Sequence, residues 1–137
     1  MSKIVFEQTV QTYQIDYVGH LSNIIYIEWM EIGRTLLLEK IGLPLPKLEA
    51  KGIAPILVET TIRYKKALYV SEIIKIEIWV SELKNASAIM SFNFYNSKGE
   101  LAAFGSQRGL FIHRETVKPY KLNSEERTAF ETALVEN

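Results

Sequence analysis

Apolar and polar residues alternate along much of this chain, and one stretch breaks the alternation. After Ser22 the apolar set Ile24, Ile25, Tyr26, Ile27, Trp29, Met30, Ile32, Leu36, Leu37 and Leu38 is interrupted by Glu28, Glu31, Thr35 and Glu39. Those four polar positions lie three, four and four residues apart, the spacing of one narrow stripe on a helix. The pattern predicts a helix capped by Ser22, running to about Lys40 and stopped by Gly42. A helix apolar over most of its circumference must be wrapped. At about 25 cal/mol per Å² of buried apolar surface, this set is a main contributor to the fold.

The rest of the chain supplies the wrapping. Lys3 to Tyr13 alternates Ile4, Phe6 and Val10 with polar neighbours and reads as a strand, followed by a loop through Val18-Gly19-His20. Leu43-Pro44-Leu45-Pro46 breaks the helix, and Lys47 to Lys51 suits one short helical turn. Four strand patterns follow: Ile53 to Tyr64, Glu72 to Ser81, Ser87 to Asn96, and Leu101 to Arg114. The alternation is clearest in Ile74, Ile76, Ile78 and Val80, and again in Met90, Phe92 and Phe94. Asn96-Ser97-Lys98-Gly99 reads as a hairpin turn, and Asn85 sits near the middle of the other short reversal. Asn123 to Val135 reads as a helical tail with Ser124 as its candidate cap. One long helix enclosed by a five-stranded, mainly antiparallel sheet accommodates both apolar inventories, an α+β architecture.

Size and composition narrow the function classes. The 137 residues suit one domain over 1–137, and a 47% hydrophobic content excludes disorder. No apolar run is long enough to span a bilayer, and Met1 to Glu7 has no secretory pattern, so a cytoplasmic protein without membrane partners is expected. The absence of cysteine removes disulfides, thiolate metal sites and a cysteine nucleophile. Sixteen basic residues balance sixteen acidic ones, so no global positive field exists for nucleic acid, and an anionic ligand needs a local cluster. His20 and His113 are too isolated to suggest a metal site, and no cofactor is implied.

The stretch Asp16-Tyr17-Val18-Gly19-His20-Leu21-Ser22-Asn23-Ile24-Ile25-Tyr26 resembles the signature of hot-dog-fold thioesterases related to 4-hydroxybenzoyl-CoA thioesterase. In that family an Asp, two arbitrary residues and a Gly lead into the central helix, with an aromatic residue one turn on. Glu31-Ile32-Gly33-Arg34 is similar to the family's Glu-x-(Ala/Gly)-Arg, and the likeness continues at Gly52 to Pro55, Tyr64 to Leu68 and Thr116 to Pro119. It covers about Phe6 to Leu122. The chain departs from the pattern at Ala67, where Pro is common, at Ser71-Glu72, where Gly-Asp is common, and at Ser22-Asn23, where some members carry an aromatic residue near the thioester. The resemblance implies a hot-dog fold, a thioester hydrolase acting on acyl-CoA or acyl-carrier-protein substrates, and sites between subunits of a homodimer or homotetramer.

Thioester hydrolysis needs an activated water or a nucleophile, with donors aimed at the oxygen that gains charge. A helix amino end offers free N–H groups and partial positive charge, so the amides around Ser22 and Asn23 are the expected oxyanion donors. One such donor contributes roughly 3 kcal/mol in other enzymes. Asp16, brought back by the Gly19 turn, would serve there as nucleophile or general base. Taken alone, Asp16 reads as a loop carboxylate bonding nearby N–H groups; the resemblance assigns it the catalytic role.

The remaining candidates have plainer alternatives beside them. His20 either orients Asp16 or a water, or packs at the loop–helix junction. Asn23 either donates through its amide or caps the helix. Tyr26 is a core residue whose hydroxyl is available to the site. Related thioesterases carry a Glu at the position of Glu59, whose plain reading is a solvated strand residue. Arg63, Lys65 and Lys66, with Lys47 and Lys51, form the one basic cluster, suited to CoA or phosphopantetheine phosphates or simply to solubility. With Tyr64, Gly19 and Ser22 these complete the substrate-binding candidates. Arg34 is expected to be paired with a carboxylate, for which a subunit contact is one place, because an unpaired buried charge is too costly. The rival readings are a non-catalytic acyl-thioester-binding protein and a hydroxyacyl-thioester dehydratase, which Leu21-Ser22 disfavours because no proline follows Gly19-His20.

Overall fold

The computed structural model describes residues 3–135, so the outermost residues of the expected 1–137 domain lie outside it. The elements run β1 (Ile4–Thr9), a 3-10 turn (Thr12–Gln14), α1 (Asn23–Lys40), α2 (Leu45–Ala50), β2 (Ile53–Tyr64), β3 (Ile73–Leu83), β4 (Ser87–Tyr95), β5 (Leu101–His113) and α3 (Ser124–Glu131). All five strands form one sheet in the order β1-β3-β4-β5-β2, and every pairing is antiparallel.

The inward residues of the central strands meet the long helix as their alternation demands. Ile74, Ile76, Ile78 and Val80 of β3 and Met90, Phe92 and Phe94 of β4 form one core with Tyr26, Trp29, Met30 and Leu37 of α1. At its carboxyl end α1 closes in a Schellman arrangement. Leu43 N–H bonds the Leu38 carbonyl at 2.8 Å and Gly42 N–H that of Glu39 at 3.2 Å, with Gly42 at φ +86°.

Several expectations need correction. The first strand ends at Thr9, because Gln11 and Gln14 exchange backbone and side-chain bonds that wind the chain into the 3-10 turn. Ser22 occupies the cap position of α1 but makes no side-chain capping bond. The carboxyl-terminal helix is capped by Asn123, one residue before the expected Ser124. The Asn123 side chain accepts the Glu126 N–H while Glu126 accepts the Asn123 N–H, a reciprocal capping box.

The largest departure concerns the wrapping of α1. Ile24 is 67% exposed and Ile27 46%, with Ile32 beside Glu28 and Glu31 on the same open face. Within one chain the sheet therefore covers only part of the helix. β2 is likewise exposed along most of its length, with Ile56, Leu57 and Val58 open at the unpaired edge of the sheet. Among the described residues no helix is long and apolar enough to cross a membrane.

Candidate active site

The loop before α1 folds back on itself. Ile15 and Leu21 form an antiparallel bridge, Asp16 N–H bonds the His20 carbonyl at 2.8 Å, and Gly19 N–H bonds the Asp16 carbonyl at 3.0 Å. Gly19 turns the chain at φ +87°, a conformation that side-chain-bearing residues rarely adopt. The Oδ1 atom of Asp16 accepts the Val18 N–H at 3.0 Å and the His20 N–H at 3.2 Å. Its Oδ2 atom has no hydrogen-bond partner among the described residues. One oxygen shapes the turn, as the plain reading expected, and the other is left over.

The amino end of α1 is open beside this turn. The Ser22 N–H is taken by the Gln14 carbonyl at 2.9 Å and the Ile25 N–H by the Ser22 carbonyl at 3.0 Å. The Asn23 and Ile24 N–H groups have no acceptor among the described residues. The pair of free amides is thus displaced by one residue from the expected Ser22 and Asn23. A capping side chain on Ser22 would ordinarily fill this position; its absence keeps the donors available.

Asp16, His20, Asn23, Tyr26, Tyr64, Lys65 and Lys66 line a single cleft of about 240 Å³, closed by Leu21, Ala67 and Leu68. Tyr26 forms its buried floor. Its ring meets the edges of Tyr64 at 5.1 Å and Phe94 at 5.3 Å, and its hydroxyl has no partner among the described residues. Burial, then the nearby Tyr64 and Glu72, raises the Tyr26 phenol well above its ordinary value, so it stays protonated as a donor. Burial raises Tyr64 in the same direction. His20 stacks edge-on against Tyr69 at 5.4 Å. Lys66 is paired with Glu100 at 2.8 Å, whereas Lys65 has no salt bridge among the described residues.

Six candidates do not line the cleft. Glu59 is exposed on β2 opposite Arg108, just past the bulge at Val58, and does not line the cleft. Arg63 alternates to the sheet face away from α1 and borders a different hollow with Trp79 and Phe104. Lys51 is bound to Glu126 at 2.7 Å, and Lys47 reaches the Gly42 carbonyl, so neither joins Lys65 and Lys66. Gly19 and Ser22 act through the backbone and do not line the cleft.

Sequence reasoning missed a polar chain that runs through the buried Gln107. Arg34 pairs with Glu31 on its own helix at 2.6 Å and donates to Gln107, which is buried on the inward face of β5 and bonds Thr60 at 3.2 Å. The signal was present: Gln107 shares the alternation of Ala103, Gly105 and Phe111, all inward positions.

A long helix on a five-stranded antiparallel sheet, with a carboxylate and free amides meeting at the helix's amino end, defines a hot-dog-fold protein of the thioesterase class. The chain belongs to the thioesterase-like superfamily, whose family model matches residues 10–133. It is 28% identical over 130 residues to the Bacillus subtilis (strain 168) protein named "Putative acyl-CoA thioesterase YneP", covering 93% of this chain and 94% of that one. The DHNA-CoA thioesterase of Staphylococcus aureus superimposes with a TM-score of 0.88 at 25% identity, over 99% of both chains. The BH1999 gentisyl-coenzyme A thioesterase does so with a TM-score of 0.82 at 25% identity, over 93% of this chain and 99% of that one.

Proposed function

We propose that this protein hydrolyses acyl-CoA thioesters to the free acid and CoA, in the cleft at the amino end of α1. The observation that carries the reading is that Asp16, with one carboxylate oxygen unpartnered, and Asn23, with its N–H unpartnered, line one small cavity at the helix's amino end. The carbonyl oxygen of the thioester sits against those amides, where fixed dipoles stabilise the charge that develops on it. Asp16 either removes a proton from the attacking water or attacks the carbonyl carbon itself, giving an anhydride that water then opens. In both routes the C–S bond breaks, the sulfur takes a proton, and the acid leaves. Thioesterase relatives whose names specify coenzyme A esters support CoA as the thiol carrier. So does the modest basic rim of Lys65 and Lys66, since a negatively charged carrier protein needs a broad one.

The same reading includes a dimer. A twelve-residue edge strand with open apolar residues is a template for pairing, and pairing β2 with its own copy is antiparallel and two-fold symmetric. Each protomer's Tyr64 end then lies beside the partner's Ile53 end. The second reading, a binding protein without turnover, draws on the Asp16 Oδ1 bonds, which alone explain a structural Asp. Thiol release from a panel of aliphatic and aromatic acyl-CoAs and acyl-carrier-protein conjugates separates the two. Turnover of CoA esters is expected, and complete inactivity across the panel removes the hydrolase.

A further inference from the structure

The sheet face turned away from α1 holds a hollow of about 300 Å³ that shares no lining residue with the Asp16 cleft. A sheet face is ordinarily flat, and the strand register explains the depression. Trp79, Ser91, Ser106 and Thr61 stand opposite one another across β3, β4, β5 and β2. Three strand spacings, about 14 Å, separate the ends of that row. Its serines and threonine are small and form a floor. In the next row Phe104 lies between Arg63 and Asn93 and, 37% exposed, rises beside the floor as a wall. Trp79 closes the far end. It alternates outward between Ile78 and Val80 yet is only 7% exposed, with the Lys3 ammonium 4.2 Å from its ring centroid.

The polar groups around the hollow do not balance. Ser91 gives its hydroxyl hydrogen to Ser81 at 2.8 Å, and Asn93 donates to Glu77 and Tyr95. Thr61 and Ser106 share one bond at 3.1 Å, which leaves one of their two hydroxyl hydrogens over. Arg63 is the one charged residue in the lining, and it has no salt bridge among the described residues. The Trp79 indole N–H is buried and has no acceptor among them. No carboxylate lines the hollow. Glu77, three strands from Arg63 along the same row, is engaged by Asn93, Tyr95 and Lys3. Donors and one positive charge are in excess, so a complementary occupant brings acceptors and one negative charge.

We propose that this hollow is a binding site for a small aromatic carboxylate, separate from the thioester cleft. The carboxylate pairs with the Arg63 guanidinium, whose planar fork matches two carboxylate oxygens, and accepts the spare hydrogen of the Thr61–Ser106 pair. The ring lies on the Ser91–Ser106 floor between Phe104 and Trp79, where aromatic walls favour it over an alkyl body. One cation suits a monoanion, whereas a phosphate dianion brings a second charge with nothing to meet it. The volume is at the small end of the range for small-molecule sites, enough for about one ring and its acid group. Pairing of β2 with its copy takes place in the plane of the sheet and leaves this face open. The site is independent of the thioesterase reading, because Asp16 and α1 contribute nothing to it.

Benzoate is the probe, titrated by calorimetry and by tryptophan fluorescence, beside benzyl alcohol and inorganic phosphate. Wild type and Asp16→Asn should bind benzoate alike, with a change in emission that disappears in Trp79→Phe, since Trp29 lies in the core on the other side of the sheet. Removing the charge, in Arg63→Gln or in benzyl alcohol, should weaken binding about tenfold or more. Ser106→Leu fills the floor and should abolish binding; if it does not fold, Arg63→Gln carries the test. Benzoate bound in this way by a protein that hydrolyses no ester upholds the site and removes only the hydrolase. Benzoate that does not bind wild type at millimolar concentration, or that binds Arg63→Gln and folded Ser106→Leu as well as wild type, overturns the proposal. Binding lost in Asp16→Asn, or phosphate bound more tightly than benzoate, overturns it too. So does an oligomer whose mass falls in Ser106→Leu, which assigns the face to a second copy.

Discussion

Because Oδ1 of Asp16 holds the turn while Oδ2 is free, substitution can separate the two roles. Asparagine retains an oxygen for the Val18 and His20 amides but loses the charge and the basicity. Asp16→Asn is therefore expected to melt close to wild type by circular dichroism while kcat falls about 10²–10⁴-fold. Turnover that survives Asp16→Asn intact removes the site assignment. Lys65 acts differently, as a cation at the rim. Lys65→Ala should raise KM for acyl-CoA about fivefold with kcat little changed, and the difference should shrink as salt rises. The position of Asp16 in a turn just before the helix was legible, because the Asp16–Gly19 spacing and the helix start are local, whereas its catalytic role is what the resemblance implies. Which amides are free was not legible, because the Ser22 N–H is removed from the set by Gln14, a partner that only the folded loop supplies.

At the scale of elements, the helix and all five strands were visible in the apolar periodicity, and β2 matches its expected bounds of Ile53–Tyr64. The errors lie at ends and caps, where one side-chain bond decides the boundary. Asn123 in place of Ser124 is such a case, since both residues cap helices well and only the Glu126 geometry chooses. Close approach between elements is a second property hidden from periodicity. Gly105 on β5 sits under Met30 of α1 and against the backbone of β2, with no room for a Cβ. Gly105→Ala should destabilise by about 1–3 kcal/mol in denaturant unfolding, as overpacking does, whereas Gly109→Ala should be far milder. Equal costs at the two positions would contradict the packing described here.

For the whole molecule, α3 is fastened to the body through Glu126, only 1% exposed yet bonded to Lys51 at 2.7 Å and Tyr120 at 2.8 Å. Burial would raise its carboxyl, but the bonds from Lys51, the Asn123 N–H and Tyr120 outweigh this and hold it below its ordinary 4.5. A depressed folded value means the stabilisation is present above the unfolded value and is lost as pH falls through the folded one. Melting temperature should therefore decline below about pH 4.5, and Glu126→Gln should flatten that acid limb while costing about 1.5–3 kcal/mol near neutrality. The reverse holds for Tyr120, pushed up to about 12 by burial and then by Glu126, whose contribution is lost only in strong alkali. Assembly is tested at the same scale. Wild type should run as a dimer or larger by light scattering, and Ile56→Asp with Val58→Asp should reduce its mass and its activity together. A wild-type monomer with full turnover would remove the shared site.

What the sequence determined by itself is whatever depends on neighbours along the chain. The period of two in the strands, the period near 3.6 in α1, the Gly42 stop and the turn that carries Asp16 all belong to this class. The tertiary structure decided what depends on partners far apart in sequence. It joined Gln107 to Arg34, assigned Lys51 to Glu126 instead of to the basic rim, and gave the Ser22 N–H to the Gln14 carbonyl. The physical reason is that periodicity encodes which face a residue takes, whereas register and packing depth set what it meets there.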